Sequence, residues 1–254
     1  MSSYDAIAVA GGDTATPLNV DKRLAVIRQY LPSSAVRFLD CGCGAGIYVR
    51  RLRDDLAIQA FGIEYMDDKV AQAHRDPVLK TIVRQGDIQQ LPFADLSFDA
   101  VMLNEVLEHV PDEAQALQEI NRVLKSRGTL IVFSPNRWFP FETHGVYLKG
   151  TRRKLPPHVP FLPYIPLPLG RLFLDYWARN YWPGELRRLC ELHGFKVVAK
   201  DFIWQTFENI SGQQPAFIRA GRPLLRSLAG VLERTPFLRR FGISQVLILR
   251  KADS

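Results

Sequence analysis

Val36-Arg-Phe-Leu-Asp-Cys-Gly-Cys-Gly-Ala-Gly46 is a short apolar run that ends in an acid and passes into a glycine-dense turn. A run of that length bounded by a turn suits a buried strand of a parallel sheet, and ligands of open α/β sheets bind at the C-terminal edge of such strands. Gly42 and Gly44 flank a turn that a Cβ would crowd, and Gly46 lies in the first turn of the helix that follows. The pattern is Gly-x-Gly-x-Gly, whereas a dinucleotide fingerprint requires Gly-x-Gly-x-x-Gly, and Ile47 stands at its third place. This argues against a nicotinamide cofactor. Glu64 closes a second apolar strand, Gln59-Ala-Phe-Gly-Ile63, about twenty residues after the glycines, the spacing of a ribose-binding carboxylate. A nucleoside with two free ribose hydroxyls fits that acid.

Outward from this point, strand and helix alternate. Strand one, Val36 to Asp40, leads to a helix at Ile47 to Leu56; strand two ends at Glu64; a helix covers Asp67 to His74; strand three is Thr81 to Arg84. Strand four, Phe98 to Leu103, precedes a helix opened by Pro111 and closed by Gly128, and Thr129 to Phe133 is a fully apolar fifth strand. Upstream, Leu24, Ile27 and Leu31 have helical spacing, with Asn19 as the cap candidate. Such alternation predicts a parallel sheet covered on both faces. After Pro135 the texture changes: six of 17 prolines fall between Pro156 and Pro168, so no helix or central strand runs through that segment. Regular structure resumes with a helix at Trp182 to Gly194, strand six at Phe195 to Ile203, a second insertion at Gln205 to Phe241, and strand seven at Ser244 to Arg250. There is no internal repeat.

A chain of 254 residues, 47% hydrophobic, can bury one sizeable core, and no segment approaches the length of a membrane-spanning helix. One domain, 1–254, is expected, with a flexible N-terminus at 1–20. The short apolar patch Ile7-Ala-Val-Ala10 lacks a basic flank, so no targeting signal is read and a cytoplasmic location is expected. Cys41, Cys43 and Cys190 form neither a Cys-x-x-Cys pair nor an even framework, which argues against structural zinc and secretion. The net charge of +7 divides unevenly: residues 1–135 carry 14 basic and 18 acidic groups, residues 136–254 carry 19 and 8. A basic second half points to a substrate or partner with negative charge.

Taken together, Phe38-Leu-Asp-Cys-Gly-Cys-Gly-Ala-Gly46, Glu64, Gly86-Asp-Ile-Gln-Gln-Leu-Pro-Phe93, Ser97-Phe-Asp-Ala-Val101 and Glu105-Val-Leu-Glu-His-Val-Pro111 resemble the class I S-adenosylmethionine-dependent methyltransferases of the type 11 kind. The match covers roughly Asp21 to Pro135 and the closing strands. It implies a seven-stranded Rossmann-like sheet of order 3-2-1-4-5-7-6 with helices on both faces, and insertions after strands five and six, 136–181 and 205–241, forming a substrate lid. It also implies S-adenosylmethionine as cofactor. Gly42 and Gly44 would meet its methionine part, whose ammonium Asp40 would balance. Glu64 would accept from the ribose hydroxyls, Asp87 from the adenine amino group with Ile88 packed on the ring, and Asn104 would lie beside the cofactor.

Methyl transfer needs chiefly alignment, and a base only where the acceptor must lose a proton. His144, just past strand five, is the base candidate, with Glu142 to orient it. Glu105, Glu108 and His109, spaced i, i+3, i+4, would share one face of a helical turn and could hold a divalent cation, or serve the reaction without one. The same Glu-x-x-Glu-His array resembles that of the ubiquinone-pathway O-methyltransferases, in which a metal is linked to phenol binding; many related methyltransferases keep Leu-Glu-His without metal, and no metal is assigned. The acceptor is expected to be small or lipid-like, hydrophobic or anionic, methylated at oxygen. Leu224, Leu225, Leu228, Val231 and Leu232 share a helical face flanked by arginines, which suits either a substrate lid or peripheral contact with an anionic membrane. Two rival readings are a nucleic-acid methyltransferase, favoured by the basic half and by Trp138, Trp177 and Trp182, and a non-catalytic cofactor-binding partner subunit. Against the first, Asn104-Glu-Val-Leu107 is not the Asn/Asp-Pro-Pro-aromatic of amino-methylating nucleic-acid enzymes.

Overall fold

The computed structural model describes residues 16–31, 36–151, 153–156, 159–207 and 220–252. The predicted features at 1–15, including the patch at Ile7, and at 208–219 within the second insertion lie outside the described residues.

Strands β1 (Arg37–Cys41), β2 (Gln59–Glu64), β3 (Val83–Gln85), β4 (Phe98–Asn104) and β5 (Leu124–Pro135) run parallel. Two more strands, β6 (Val146–Leu148) and β7 (Leu174–Tyr176), form a separate hairpin-like pair. Strand β8 (Phe195–Ile203) lies on the edge, and β9 (Ser244–Lys251) inserts antiparallel between β5 and β8. The seven-stranded order is β3-β2-β1-β4-β5-β9-β8, which is the expected 3-2-1-4-5-7-6 once the β6–β7 pair is set aside.

Alternation along the central strands decides the layers. Phe38, Ala100, Met102, Ile131 and Phe133 face one core, closed by α1 (Pro17–Tyr30) and α2 (Ile47–Leu56) through Leu24, Ile27, Val49 and Leu52. Their neighbours Leu39, Cys41, Val101, Leu103 and Val132 face the other, closed by α5 (Glu113–Val123) and α7 (Pro183–Leu192) through Leu117, Ile120 and Leu186. Between β2 and β3 lie the short helices α3 (Asp67–Ala73) and α4 (Leu79–Ile82). A strand buried on both faces has no polar side, which is why these runs are almost continuously apolar.

Three local expectations are corrected. Asn19 does not cap α1, which begins after Thr16; Asn19 sits one turn inside, buried, and accepts from Arg23 Nε at 3.3 Å. Thr81 and Ile82 belong to the helical turn α4, so the third strand starts only at Val83. The helix after β4 opens at Glu113, where Asp112 accepts from the Gln115 amide at 3.0 Å, and it ends at Val123 rather than Gly128. There the chain is already extended, because Leu124 pairs with Phe98 across a register shift.

The proline-rich insertion holds only a 3-10 turn, Leu162–Tyr164, and one helical turn, α6 (Leu167–Gly170), each with proline in a first position where no amide donor is needed. Buried Arg137 fixes it to the domain: Nε donates to the Pro163 carbonyl and Nη2 to the Ile165 carbonyl, with the guanidinium 5.0 Å over the Trp182 ring. A cation with several donors supplies the partners that proline-rich backbone cannot. The roots of the two insertions meet at Asn136, whose Nδ2 donates to the carbonyls of Arg240 and Gly242 at 2.7 Å each. The second insertion carries an amphipathic helix, Arg222–Arg234, followed by a 3-10 turn, Leu238–Phe241. No described helix is long and apolar enough to cross a membrane.

Candidate functional site

The C-terminal ends of β1, β2 and β4 form one edge, since Cys41 pairs with Ile63 on one side and Leu103 on the other. Gly42, Gly44 and Gly46 all have positive φ, at 75°, 54° and 81°. The turn is folded back onto β2, because the Gly42 and Cys43 amides both donate to the Ile63 carbonyl, at 2.7 and 3.0 Å. A Cβ on Gly42 would come within 2.4 Å of Val106 Cγ2, whereas one on Gly44 would meet nothing within 4 Å. The turn is packed behind and open in front, the form of a backbone cradle.

Asp40 lies beneath this turn, 1% exposed, and neither of its carboxylate oxygens meets a hydrogen-bond donor. Burial, and then the charge of Glu64, push its pKa up to about 8. Such a group lacks a cationic or donor partner. Glu64, at the end of β2, accepts from the Gly44 amide at 2.7 Å and the Met66 amide at 2.9 Å, so it ties the glycine turn to the exit of its own strand. Asp87 follows β3, half-buried, and accepts from the Gln89 amide at 2.8 Å; its neighbour Ile88 is buried in the core. Asn104 ends β4, and its Oδ1 accepts from Arg23 Nη1.

Arg23 is the residue that sequence reasoning missed. It projects from α1, 2% exposed, bonds Asn19, Asn104 and Glu105, and lies 4.8 Å over the Phe133 ring. The signal was its place among the apolar face residues Val20, Leu24 and Ile27, where a solvated charge does not belong.

The acidic array after β4 is arranged differently from the expected helical face. Glu105 has φ +56°, and the chain is helical only from Leu107 to His109, so Glu105 does not join Glu108 and His109 on one turn. Instead Glu105 accepts from Arg23 Nη2 at 3.0 Å and from the Ser244 hydroxyl at 2.6 Å. Burial would raise its pKa, but Arg23, His144 and Ser244 outweigh it and hold it below the usual carboxylate range. Glu108 is 3% exposed, with both oxygens lacking a donor, and burial and the Glu105 charge raise it well above that range.

His144 Nε2 lies 3.7 Å from Glu108 Oε1, and its Nδ1 is 3.0 Å from the Thr143 hydroxyl. The carboxylate facing this imidazole is therefore Glu108 and not Glu142. Glu142 is occupied elsewhere: it accepts from the backbone amides of Thr143 and His144 at 3.0 Å and from Asn180 at 2.6 Å, holding the loop rather than the ring. The His109 ring packs edge-on to His144, with centroids 5.1 Å apart, and its pKa falls to about 4 because burial and His144 oppose its charge. Ligating atoms of Glu108, His109 and His144 all lie within 4.8 Å of one another, so the set that could hold a cation includes His144 and omits Glu105. The two halves of this cluster are 36 residues apart in sequence, and no local spacing could have joined them.

A family model described as a methyltransferase domain matches residues 39–132. A probable S-adenosylmethionine-dependent methyltransferase of Mycolicibacterium smegmatis is 37% identical over 159 residues, 63% of this chain and 51% of the relative, so the match spans about half that relative's length. A demethylmenaquinone methyltransferase of Beutenbergia cavernae is 37% identical over 190 residues, 72% of each chain. Among solved structures, an S-adenosylmethionine-dependent methyltransferase from Mesorhizobium loti superposes with a TM-score of 0.57 over 91% of this chain and all of that one, at 18% identity, a likeness of fold alone. The strand order, the glycine turn and a 37% identical relative matched over 72% of its length agree: the chain belongs to the class I S-adenosylmethionine-dependent methyltransferases.

Proposed function

We propose that the protein transfers a methyl group from S-adenosylmethionine to an oxygen of a small or lipid-like acceptor that is hydrophobic or anionic. The observation that carries the cofactor half of this reading is Asp40: a buried carboxylate with no donor, beside a glycine turn open in front. Asp40 would ionise against the ammonium of the amino-acid part, Glu64 would receive the ribose hydroxyls, Asp87 the adenine amino group with Ile88 beneath, and Asn104 would border the site. When bound, the cofactor supplies a methyl carbon that is already electrophilic, so that holding the acceptor in line is most of the catalysis.

His144 is the base in this reading. Its Nε2 faces Glu108, so the tautomer assigned from its partners carries the proton there, and Nδ1 takes up the acceptor's proton directly or through the Thr143 hydroxyl. Glu105, whose carboxylate is held ionised and interacts with His144, then stabilises the imidazolium. The insertions 136–181 and 205–241 would build the acceptor pocket, their aromatics suiting a planar or apolar acceptor and their arginines an anionic group. The demethylmenaquinone methyltransferase among the relatives supports a small lipid-like acceptor.

A screen with cofactor labelled in the methyl group tests this: label is expected in organic extracts of quinol, phenol or lipid acceptors and absent from added RNA and DNA. Label confined to nucleic acid would move the assignment to that rival class. Because Glu108, His109 and His144 gather within 4.8 Å, the assay is repeated after chelation. Unchanged turnover is expected of the Glu108–His144 pair acting alone; loss restored by a divalent cation would assign these three groups to a metal.

A further inference from the structure

The helix Arg222–Arg234 is bound to the domain by one face only. Its inner edge carries Ala229, 4% exposed, and half-buried Leu225 and Leu232. Glu233 anchors it, accepting from Lys22 Nζ at 2.6 Å and from the Trp204 amide at 3.1 Å. The adjoining stripe, about 100° round the helix, presents Leu224, Leu228 and Val231, 74%, 50% and 62% exposed, one above another at helical spacing, so the apolar face expected from the sequence is half packed and half bare. Phe237, 61% exposed, extends this stripe beyond the helix.

The apolar surface continues into the first insertion through touching rings. Phe237 lies 6.1 Å from Phe241, Phe241 5.4 Å from Trp138, and the Trp138 carbonyl accepts from the Tyr164 hydroxyl at 2.6 Å. Tyr164 in turn lies 5.6 Å from the 58% exposed Phe161. Between Ala220 and Arg240 the chain has five arginines and one acid, Glu233, which Lys22 already neutralises; Arg239 is paired with Asp201 and Arg226 donates to the Thr206 carbonyl, so Arg222, Arg234 and Arg240 carry the charge of this surface.

We infer that this face is a docking surface for an anionic lipid bilayer, with Leu224, Leu228, Val231 and Phe237 entering the interface and the surrounding arginines meeting headgroups. The distribution of charge selects that occupant. Nucleic acid would be met by cations on the contact face itself, whereas here the face is apolar and Arg234 and Arg240 border it, the latter 5.9 Å over the Phe237 ring. A second copy of the chain would bring like charges together. The surface abuts Trp138, three residues past the end of β5, so the bilayer would lie against the insertion at the ligand edge of the sheet. The docking itself does not depend on which acceptor is methylated.

The test is co-sedimentation of the full chain with vesicles of phosphatidylcholine alone or mixed with phosphatidylglycerol, at low and high salt. Binding is expected to the anionic vesicles, weakened by salt, and reduced about tenfold or more in the double variant Leu224→Asp, Leu228→Asp. Arg234→Gln with Arg240→Gln, which leaves the apolar stripe intact, is expected to abolish the preference for anionic lipid. Equal binding by wild type and both variants, absence of binding to either vesicle, or a dimer in ultracentrifugation that Leu228→Asp dissolves would each overturn the inference. Cofactor titration of the same variants is expected to match wild type, which separates this surface from the methyltransferase site.

Discussion

Asp40 has the clearest consequence at the scale of one residue. Its pKa is raised from 3.8 to about 8, so between those values the unfolded chain ionises while the folded chain keeps its proton. The folded state without cofactor therefore loses stability as pH rises from about 4 to about 8, at up to about 1.4 kcal/mol per pH unit, and levels off above. Urea denaturation of wild type and Asp40→Asn across that range checks this: the variant is expected to lack the slope and to be the more stable protein at the alkaline end. His144 gives a complementary expectation. His144→Gln keeps a ring-sized polar side chain but no base, and turnover is expected to fall about 10²–10⁴-fold with cofactor affinity unchanged, by comparison of kcat with calorimetric Kd. An equal loss in both would make His144 a loop residue only.

Among the elements, α1 does more than cover the sheet. Through Arg23 it supplies the buried guanidinium that compensates Asn104 and Glu105 at the end of β4. Arg23→Ala would leave the half-buried Glu105 carboxylate with only the Ser244 hydroxyl, a change that costs up to about 3–5 kcal/mol, and Arg23→Lys would not restore three directed bonds. Denaturant midpoints of the two variants test that. The main elements were legible in the sequence because both-face burial forces apolar runs such as Phe98 to Leu103, and because the glycine turn marks where the first run ends. What stayed hidden was held by contacts distant in sequence. Thr81 and Ile82 look like strand residues but close a helical turn, and the extended stretch from Leu124 is dictated by its partner Phe98. The pairing of Glu108 with His144, like the burial of Arg23, comes from tertiary placement, and a charged residue on a helix reads locally as solvated.

For the whole molecule, the division of charge in the sequence corresponds to a division of labour. The acidic half contains the glycine turn, Glu64, Asp87 and the five parallel strands that position them; the basic half contains the two antiparallel strands, the two insertions and the exposed apolar face. In the proposed reading, the edge of the sheet binds S-adenosylmethionine with Asp40 as the counter-charge of its ammonium group. Calorimetric titration near pH 7, in buffers of different ionisation enthalpy, tests it most directly. Wild type is expected to bind one equivalent with release of a proton from Asp40, and Asp40→Asn to bind at least about tenfold more weakly with no proton released. No binding by the wild type, or equal affinity in the two proteins without proton release in either, would contradict it.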